Sequence, residues 1–136
     1  MKSSKNERIL AAVGVSATVG ATAFVWFFNP SNVNFFPVCP LFSMTGIACP
    51  GCGLTRGFHA LLHGDLLTAL DYNALLPFYA FILGYFFISL ILVVFKGRGL
   101  SFKIFQPKMI WSFLTISLVF AVVRNLPIYP FSILYP

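Results

Sequence analysis

The amino-acid sequence predicts an all-α integral membrane protein, with three transmembrane helices and one or two short amphipathic helices in an extracytoplasmic loop. Hydrophobic residues make up 59% of the chain and charged residues only 9%, and the mean hydropathy is +0.90. A soluble domain of this composition would lack the charged surface that keeps such domains in solution. The formal net charge is +6, but the basic residues are scattered between apolar runs and form no basic stripe. This pattern excludes nucleic acid as a partner and indicates the lipid bilayer.

The first predicted span covers residues 9–28 and follows a basic N-terminus at residues 1–8. The run contains no charged side chain and is long enough to cross about 30 Å of hydrocarbon as a helix. A cleaved signal peptide is the alternative, because Ala21 and Ala23 follow a basic start in a small-x-small pattern. The apolar run continues to Phe28, where a cleavage site should give way to polar sequence, so the sequence favours a retained helix.

Residues 29–71 form the predicted extracytoplasmic loop. Its first part is rich in proline and glycine, has no helical period and is predicted to be irregular. Two short amphipathic helices are predicted after it, at residues 54–62 and 66–70. Gly64 is a suitable C-cap for the first of them, and Asp65 is a suitable N-cap for the second.

The second span is predicted at residues 72–95, which again carry no charge. Tyr72 and Asn73 would open this helix at the membrane interface. Pro77 lies near its start, where the missing amide donor costs least.

The third span is predicted at residues 109–126, after a basic loop at residues 96–108 and before an interfacial tail at residues 127–136. Arg124 lies near the end of this apolar run. Because a charge deep in the bilayer is costly, we expect its side chain to reach the water or to pair with an acidic group such as Asp65 or Asp71.

The basic residues predict the orientation of the chain. Seven of the nine Lys and Arg residues lie in the N-terminus or in the loop between the second and third spans. With three spans, these two segments lie on the same side, which the positive-inside rule makes cytoplasmic. The loop of residues 29–71 is therefore predicted to face the outside of a bacterial cytoplasmic (inner) membrane.

All three cysteines and both histidines of the chain lie between Cys39 and His63. If a helix starts near Cys52, then at 100° per residue Cys52, Arg56, His59 and His63 share one narrow face. The polar face of this helix would gather a thiol, a guanidinium and two imidazoles, although a surface helix also has a polar face without any such role. The two histidines are four residues apart, a spacing that suits a metal pair.

Three chemistries fit the Cys-Pro-x-Cys-Gly motif at residues 49–53. As a metal knuckle, its two thiolates would bind zinc or another transition metal together with Cys39 and with His59 or His63. As a redox pair, it would place the Cys52 thiol at a helix N-terminus beside Arg56, where its reactivity rises. An oxidising compartment also supports a simple disulfide. The sequence favours a structural disulfide or packed thiols over a metal site, and a metal site over redox catalysis.

A wider pattern surrounds this motif. It consists of Cys39-Pro40, Thr45-Gly46, Cys49-Pro50-Gly51-Cys52-Gly53, Thr55-Arg56, His63-Gly64-Asp65, Ala69 and Asn73. The pattern resembles the DUF2752 family of small bacterial membrane proteins of unknown function. The family often has Asn-Pro where this chain has Asn73-Ala74.

The resemblance implies a membrane location and supplies no activity. It marks six signature positions: Cys39, Cys49, Cys52, Thr55, Arg56 and Asp65.

From these observations we expect a non-enzymatic accessory or scaffold subunit of the cell envelope. Its cysteine loop, held by a disulfide or a metal, would present Thr55, Arg56 and His59 to another membrane protein or to a lipid headgroup. The alternative is a thiol-redox or transition-metal-handling protein that acts through Cys49 and Cys52. The few carboxylates form no Ser-His-Asp group and no paired intramembrane acid, so the sequence indicates no hydrolase and no ion pump.

Overall fold

The structure is a computed structural model that describes residues 4–31, 39–101 and 106–127, and within these ranges all regular structure is α-helical. The helices are α1 (Lys5–Phe27), α2 (Pro40–Thr45), α3 (Leu54–Leu62), α4 (Leu66–Tyr72), α5 (Leu76–Lys96) and α6 (Pro107–Arg124). Three of them, α1, α5 and α6, are long and apolar enough to cross a membrane. The predicted all-α class with three apolar spans is confirmed, whereas the side of the membrane that the loop faces stays a prediction.

The first helix begins earlier than predicted because its start is capped. The Ser4 hydroxyl accepts the backbone N–H of Glu7 (3.3 Å), and the Glu7 carboxylate accepts the backbone N–H of Ser4 (2.9 Å). This reciprocal capping box satisfies amide groups that the first turn leaves without helical partners. The basic segment at residues 1–8 is therefore partly the first turn of α1.

The predicted start of the second span at residues 72–95 was wrong. Tyr72 ends α4, and Asn73 is 1% exposed instead of lying solvated at the interface. The Asn73 side-chain oxygen accepts the backbone N–H of Leu75 (2.9 Å), which turns the chain before α5 begins at Leu76. Pro77 lies in the first turn of α5, as expected from its missing amide donor. Hydropathy alone does not locate this break, because the uncharged run already begins at Tyr72, four residues before α5.

The short helices surround the cysteine segment. Helix α3 has the predicted bounds, and α4 begins after Asp65, whose carboxylate accepts the backbone N–H of Thr68 (3.1 Å). Helix α2 corrects the prediction of a wholly irregular segment: it begins with Pro40, a favoured first helical residue, and ends at Thr45, before the C-cap Gly46. Apart from Pro127, the predicted tail at residues 127–136 lies outside the described residues.

Helices α1 and α5 pack against each other in opposite directions. The Arg8 guanidinium at the start of α1 donates to the Phe95 carbonyl at the end of α5 (3.1 Å). Further along, the Gly14 Cα faces Leu90, where an added Cβ would lie 3.2 Å from a side-chain carbon. The other end of α1 contacts α3 through Val25. The short helices and the cysteine segment therefore lie at the end of the molecule opposite to Arg8.

Candidate metal centre

The three cysteine side chains meet at one point. Cys39 immediately precedes α2, whereas Cys49 and Cys52 lie in the turn before α3. The Cys49 sulfur lies 3.3 Å from that of Cys39 and 3.2 Å from that of Cys52. All three Sγ atoms lie within 4.8 Å of one another, and all three thiols are free. In the described part of the chain, this is the one group of three or more side chains positioned to share a metal ion.

The turn that carries two of these thiols has the geometry of a metal knuckle. The Cys52 N–H donates to the Cys49 carbonyl (3.0 Å), which closes the turn. The Cys49 N–H points at the Cys52 sulfur (3.2 Å). An amide that faces a sulfur stabilises the thiolate form, and the thiolate is the form that binds metals.

Gly53 ends the knuckle and fixes where α3 begins. Its φ is +80°, in the left-handed region, and an added Cβ would lie 2.4 Å from the Tyr72 carbonyl oxygen. Helix α3 therefore starts at Leu54, after this turn, and its regular rotation of 100° per residue does not extend back to Cys52. The predicted common face of Cys52 and Arg56 is wrong for that reason: the Cys52 side chain is buried at the cluster, whereas Arg56 is exposed.

Asn73 and Arg124 hold the knuckle by its carbonyl groups. The Asn73 amide donates to the carbonyls of Pro50 (2.8 Å) and Cys52 (3.1 Å). The Arg124 Nη1 donates to the carbonyls of Cys49 (3.0 Å) and Cys52 (3.1 Å). The junction between α4 and α5 and the end of α6 are thereby attached to the same turn.

Asn125 extends this attachment to the residue before the knuckle. Its side-chain amide donates to the Ala48 carbonyl (2.8 Å), and its side-chain oxygen accepts the Ala48 N–H (2.8 Å).

The surroundings of Arg124 differ from the sequence-based expectation. Its side chain is 0% exposed and therefore does not reach water. Asp65 caps α4 and is not its partner. The one sequence feature that points to this attachment is the pair of polar residues, Arg124 and Asn125, at the end of an apolar run.

Two of the thiols differ in acidity. Hydrogen bonds from the backbone of Phe42 and from the Cys49 side chain lower the pKa of Cys39 to about 7. Burial, followed by hydrogen bonds to the other two thiols, raises the pKa of Cys52 to about 12. Without a bound metal, the Cys39 thiol therefore loses its proton at a lower pH than the Cys52 thiol.

The histidines do not join the thiols, which corrects the prediction of His59 as a metal ligand. The His59 Nδ1 lies 2.7 Å from the Val25 carbonyl oxygen, so this ring is directed at the end of α1. The His63 Nδ1 lies 2.8 Å from the His59 carbonyl oxygen, and its ring stacks on Trp26 with centroids 5.5 Å apart. Because α3 begins at Leu54, this face of the helix turns away from the cysteines.

The remaining signature candidates fall into two groups. Thr55 and Arg56 are exposed on α3, and Asp65 is exposed at the start of α4. Asn73 is buried against the knuckle. Of these four, Asn73 is the residue whose side chain hydrogen-bonds to the knuckle.

The spacing of the sulfur atoms is close to what a tetrahedral metal requires. With Zn–S bonds of about 2.3 Å, two ligand sulfurs lie about 3.8 Å apart. The observed separations of 3.2 Å and 3.3 Å are about half an ångström shorter than this, so each sulfur pair would have to move apart by that amount to bind zinc. Three thiolates would leave one of the four positions for a further ligand.

Part of the chain matches a known protein family, and the description of that family assigns it no activity. Residues 39–87 match the family model described as "Protein of unknown function (DUF2752)". The match contains all three cysteines, the α3–α4 pair and the first part of α5, and it confirms the resemblance drawn from the sequence. No curated protein and no solved structure matches the chain.

Proposed function

We propose that this chain is a non-enzymatic accessory or scaffold subunit of a bacterial cytoplasmic membrane, with an extracytoplasmic loop organised by a transition metal on Cys39, Cys49 and Cys52. The observation that carries the proposal is the convergence of three Sγ atoms within 4.8 Å. A disulfide would use two of these thiols and give the third no role, whereas a metal uses all three. Thiolate ligands select zinc or another soft ion over magnesium and calcium.

The charge of the surroundings supports a thiolate metal site. Three thiolates on a divalent ion carry a net charge of −1, which is costly to bury without a compensating charge. Arg124 is buried beside the knuckle and donates to the carbonyls of Cys49 and Cys52. Its guanidinium therefore supplies a positive charge next to the ligands.

The connections of the site support a structural role. The metal would join the residue before α2 to the turn before α3, and Asn73 and Arg124 join that turn to α5 and α6. One ion would thus hold four helices together at one end of the bundle. The fourth coordination position would be taken by water or by a side chain of the subunit that this protein assists.

Elemental analysis of the purified full-length protein tests the proposal. About one zinc, or another transition metal, per chain is expected in the unsubstituted protein, and Cys52→Ser should lose it. Met44→Ser is the matched control, because Met44 lies in the same segment and is 84% exposed. A metal-free protein with three titratable thiols, or full metal retention in Cys52→Ser, would contradict the proposal.

A thiol-redox function is the second candidate, and the acidity of one thiol favours Cys39 and Cys49 as the reacting pair, in place of the Cys49 and Cys52 pair expected from the sequence. The pKa of Cys39 is lowered to about 7, and its sulfur lies 3.3 Å from that of Cys49. The Cys39 thiolate would attack a partner disulfide, and Cys49 would then displace the partner and lose its proton. The partner disulfide gains two electrons and becomes a dithiol, while Cys39 and Cys49 become a disulfide. Reversible oxidation of this pair in glutathione buffers, in protein that never contains metal, would favour this function.

A further inference from the structure

A polar groove lies apart from the three cysteines, between the end of α1 and the α3–α4 pair. Its volume is about 240 Å³, and none of the cysteines lines it. The lining side chains that bear on its chemistry are Asn29, Ser31, Arg56, His59, His63 and Asp65. This volume is below the roughly 300 Å³ at which pockets for drug-sized ligands begin, so the groove suits a ligand of headgroup size.

The walls of the groove carry one positive and one negative side chain. Within the described ranges, no hydrogen bond or ion pair engages the Arg56 guanidinium. The pKa of Asp65 is lowered by hydrogen bonds from the side chain and backbone of Thr68, and Arg56 does not contribute to that shift. The two charges therefore remain separate, which fits a ligand that carries both signs.

The two histidines add hydrogen-bond acceptors. The Nδ1 atoms of His59 and His63 face the carbonyl oxygens of Val25 and His59 at 2.7 Å and 2.8 Å. Because a carbonyl only accepts, each Nδ1 carries a proton, and in the neutral ring each Nε2 has a free lone pair. In the neutral ring, Nε2 thus accepts from an N–H or O–H group.

The groove lies where a membrane presents its headgroups. Asn29 and Ser31 follow directly after the apolar helix α1, and Trp26 in the last turn of that helix stacks on His63. Tryptophan is enriched at the headgroup level of membranes. Ligands at this depth are phospholipid headgroups or small solutes at the membrane surface.

We propose that this groove binds a phosphoethanolamine group, with the phosphate on Arg56 and the ammonium on Asp65 and the histidine Nε2 atoms. A guanidinium binds phosphate through paired N–H donors. The ammonium provides three N–H donors for the carboxylate and the imidazoles. A trimethylated ammonium has the same charge and no N–H donor, so a phosphocholine group is expected to bind poorly. The group is supplied by a phospholipid or by free phosphoethanolamine.

Tryptophan fluorescence of the full-length protein in nanodiscs tests this proposal. The chain has two tryptophans, so Trp111→Phe leaves Trp26, which contacts the groove residue His63, as the sole reporter. Phosphatidylethanolamine replaces phosphatidylcholine stepwise in one series, and free phosphoethanolamine is added to pure phosphatidylcholine discs in another. A saturable change in Trp26 fluorescence in the first series would identify the ligand as a lipid. A saturable change in the second series would identify it as soluble phosphoethanolamine.

Matched variants identify the groups responsible. Arg56→Gln should weaken binding at least tenfold, whereas Arg98→Gln, an exposed arginine near the opposite end of the molecule, should not. Asp65→Asn retains an N-cap residue but removes the charge, and it should reduce the preference for ethanolamine over choline. Equal responses to the two lipids, no saturable response in either series, or unchanged binding in Arg56→Gln would overturn the proposal.

Discussion

Buried polar side chains hold the thiol cluster in place. Arg124 and Asn73 are 0% and 1% exposed, and their donors reach carbonyl groups of the knuckle. A buried carbonyl that loses its donor costs about 1–3 kcal/mol, so each of these contacts stabilises this turn over alternative backbone conformations. At the scale of the residue, the centre depends on these donors as well as on its three cysteines.

Gly53 gives the first prediction at this scale. Gly53→Ala places a Cβ 2.4 Å from the Tyr72 carbonyl in a backbone conformation with φ +80°. Gly46→Ala is the matched control, because Gly46 has φ +70° and no atom within 4 Å of an added Cβ. The control should cost only the left-handed strain of about 1–2 kcal/mol, and Gly53→Ala should cost clearly more. Thermal unfolding in detergent measures both, and equal midpoints would contradict the described turn.

The acidity of the thiols gives a second prediction, for metal-free protein. Because the pKa of Cys39 is lowered to about 7 and that of Cys52 is raised to about 12, Cys39 forms its thiolate at much lower pH. The thiolate is the reactive form, so Cys39 alkylation should rise through about pH 7 while Cys52 stays slow up to pH 9. Mass spectrometry of iodoacetamide-labelled peptides gives both profiles. Faster labelling of Cys52 than of Cys39 at pH 7 would be inconsistent with the described environments.

At the scale of the element, sequence patterns predict the helices and caps that are determined by interactions between residues close in the chain. The α3–α4 pair and the Asp65 cap follow from amphipathic periodicity and capping preferences within a few residues. The direction of the His59 side chain does not follow from local patterns. It depends on where the turn at Gly53 ends the knuckle, and the position of that turn depends on the close approach of Tyr72. The position of Arg124 depends likewise on carbonyl groups far away in the chain.

The junction between α4 and α5 gives a prediction at this scale. Asn73→Asp replaces the amide that donates to the Pro50 and Cys52 carbonyls with a carboxylate that only accepts. Loss of such outer contacts weakens metal sites by about 10- to 100-fold. Asn29→Asp is the control, because Asn29 is exposed and lines the separate groove. Competition with a chelator measures the affinity, and an unchanged affinity in Asn73→Asp would show that this contact does not support the site.

At the scale of the whole molecule, the two ends of the bundle differ in chemistry. One end joins Arg8 to the end of α5, next to the basic loop, and the other carries the thiols and the polar groove. The basic residues of the first end predict that it is cytoplasmic. The thiol cluster and the groove would then share the extracytoplasmic surface.

Site-directed labelling of intact spheroplasts with a membrane-impermeant maleimide tests this orientation. Met44→Cys introduces a thiol at an 84% exposed position beside the metal centre and should react from outside. Arg98→Cys, at the opposite end, should react only after permeabilisation. The unsubstituted chain gives the background of the native thiols. The reverse pattern would place the cysteine loop in the cytoplasm.

The most direct test of the central claim is X-ray absorption spectroscopy of the metal in the purified full-length protein. The three converging sulfur atoms predict a metal surrounded by three sulfur neighbours from this chain, at about 2.3 Å for zinc, with one further ligand. Cys39→Ser should remove one of the three sulfurs or the metal itself. A first shell with fewer than three sulfur neighbours in the unsubstituted protein would contradict the account.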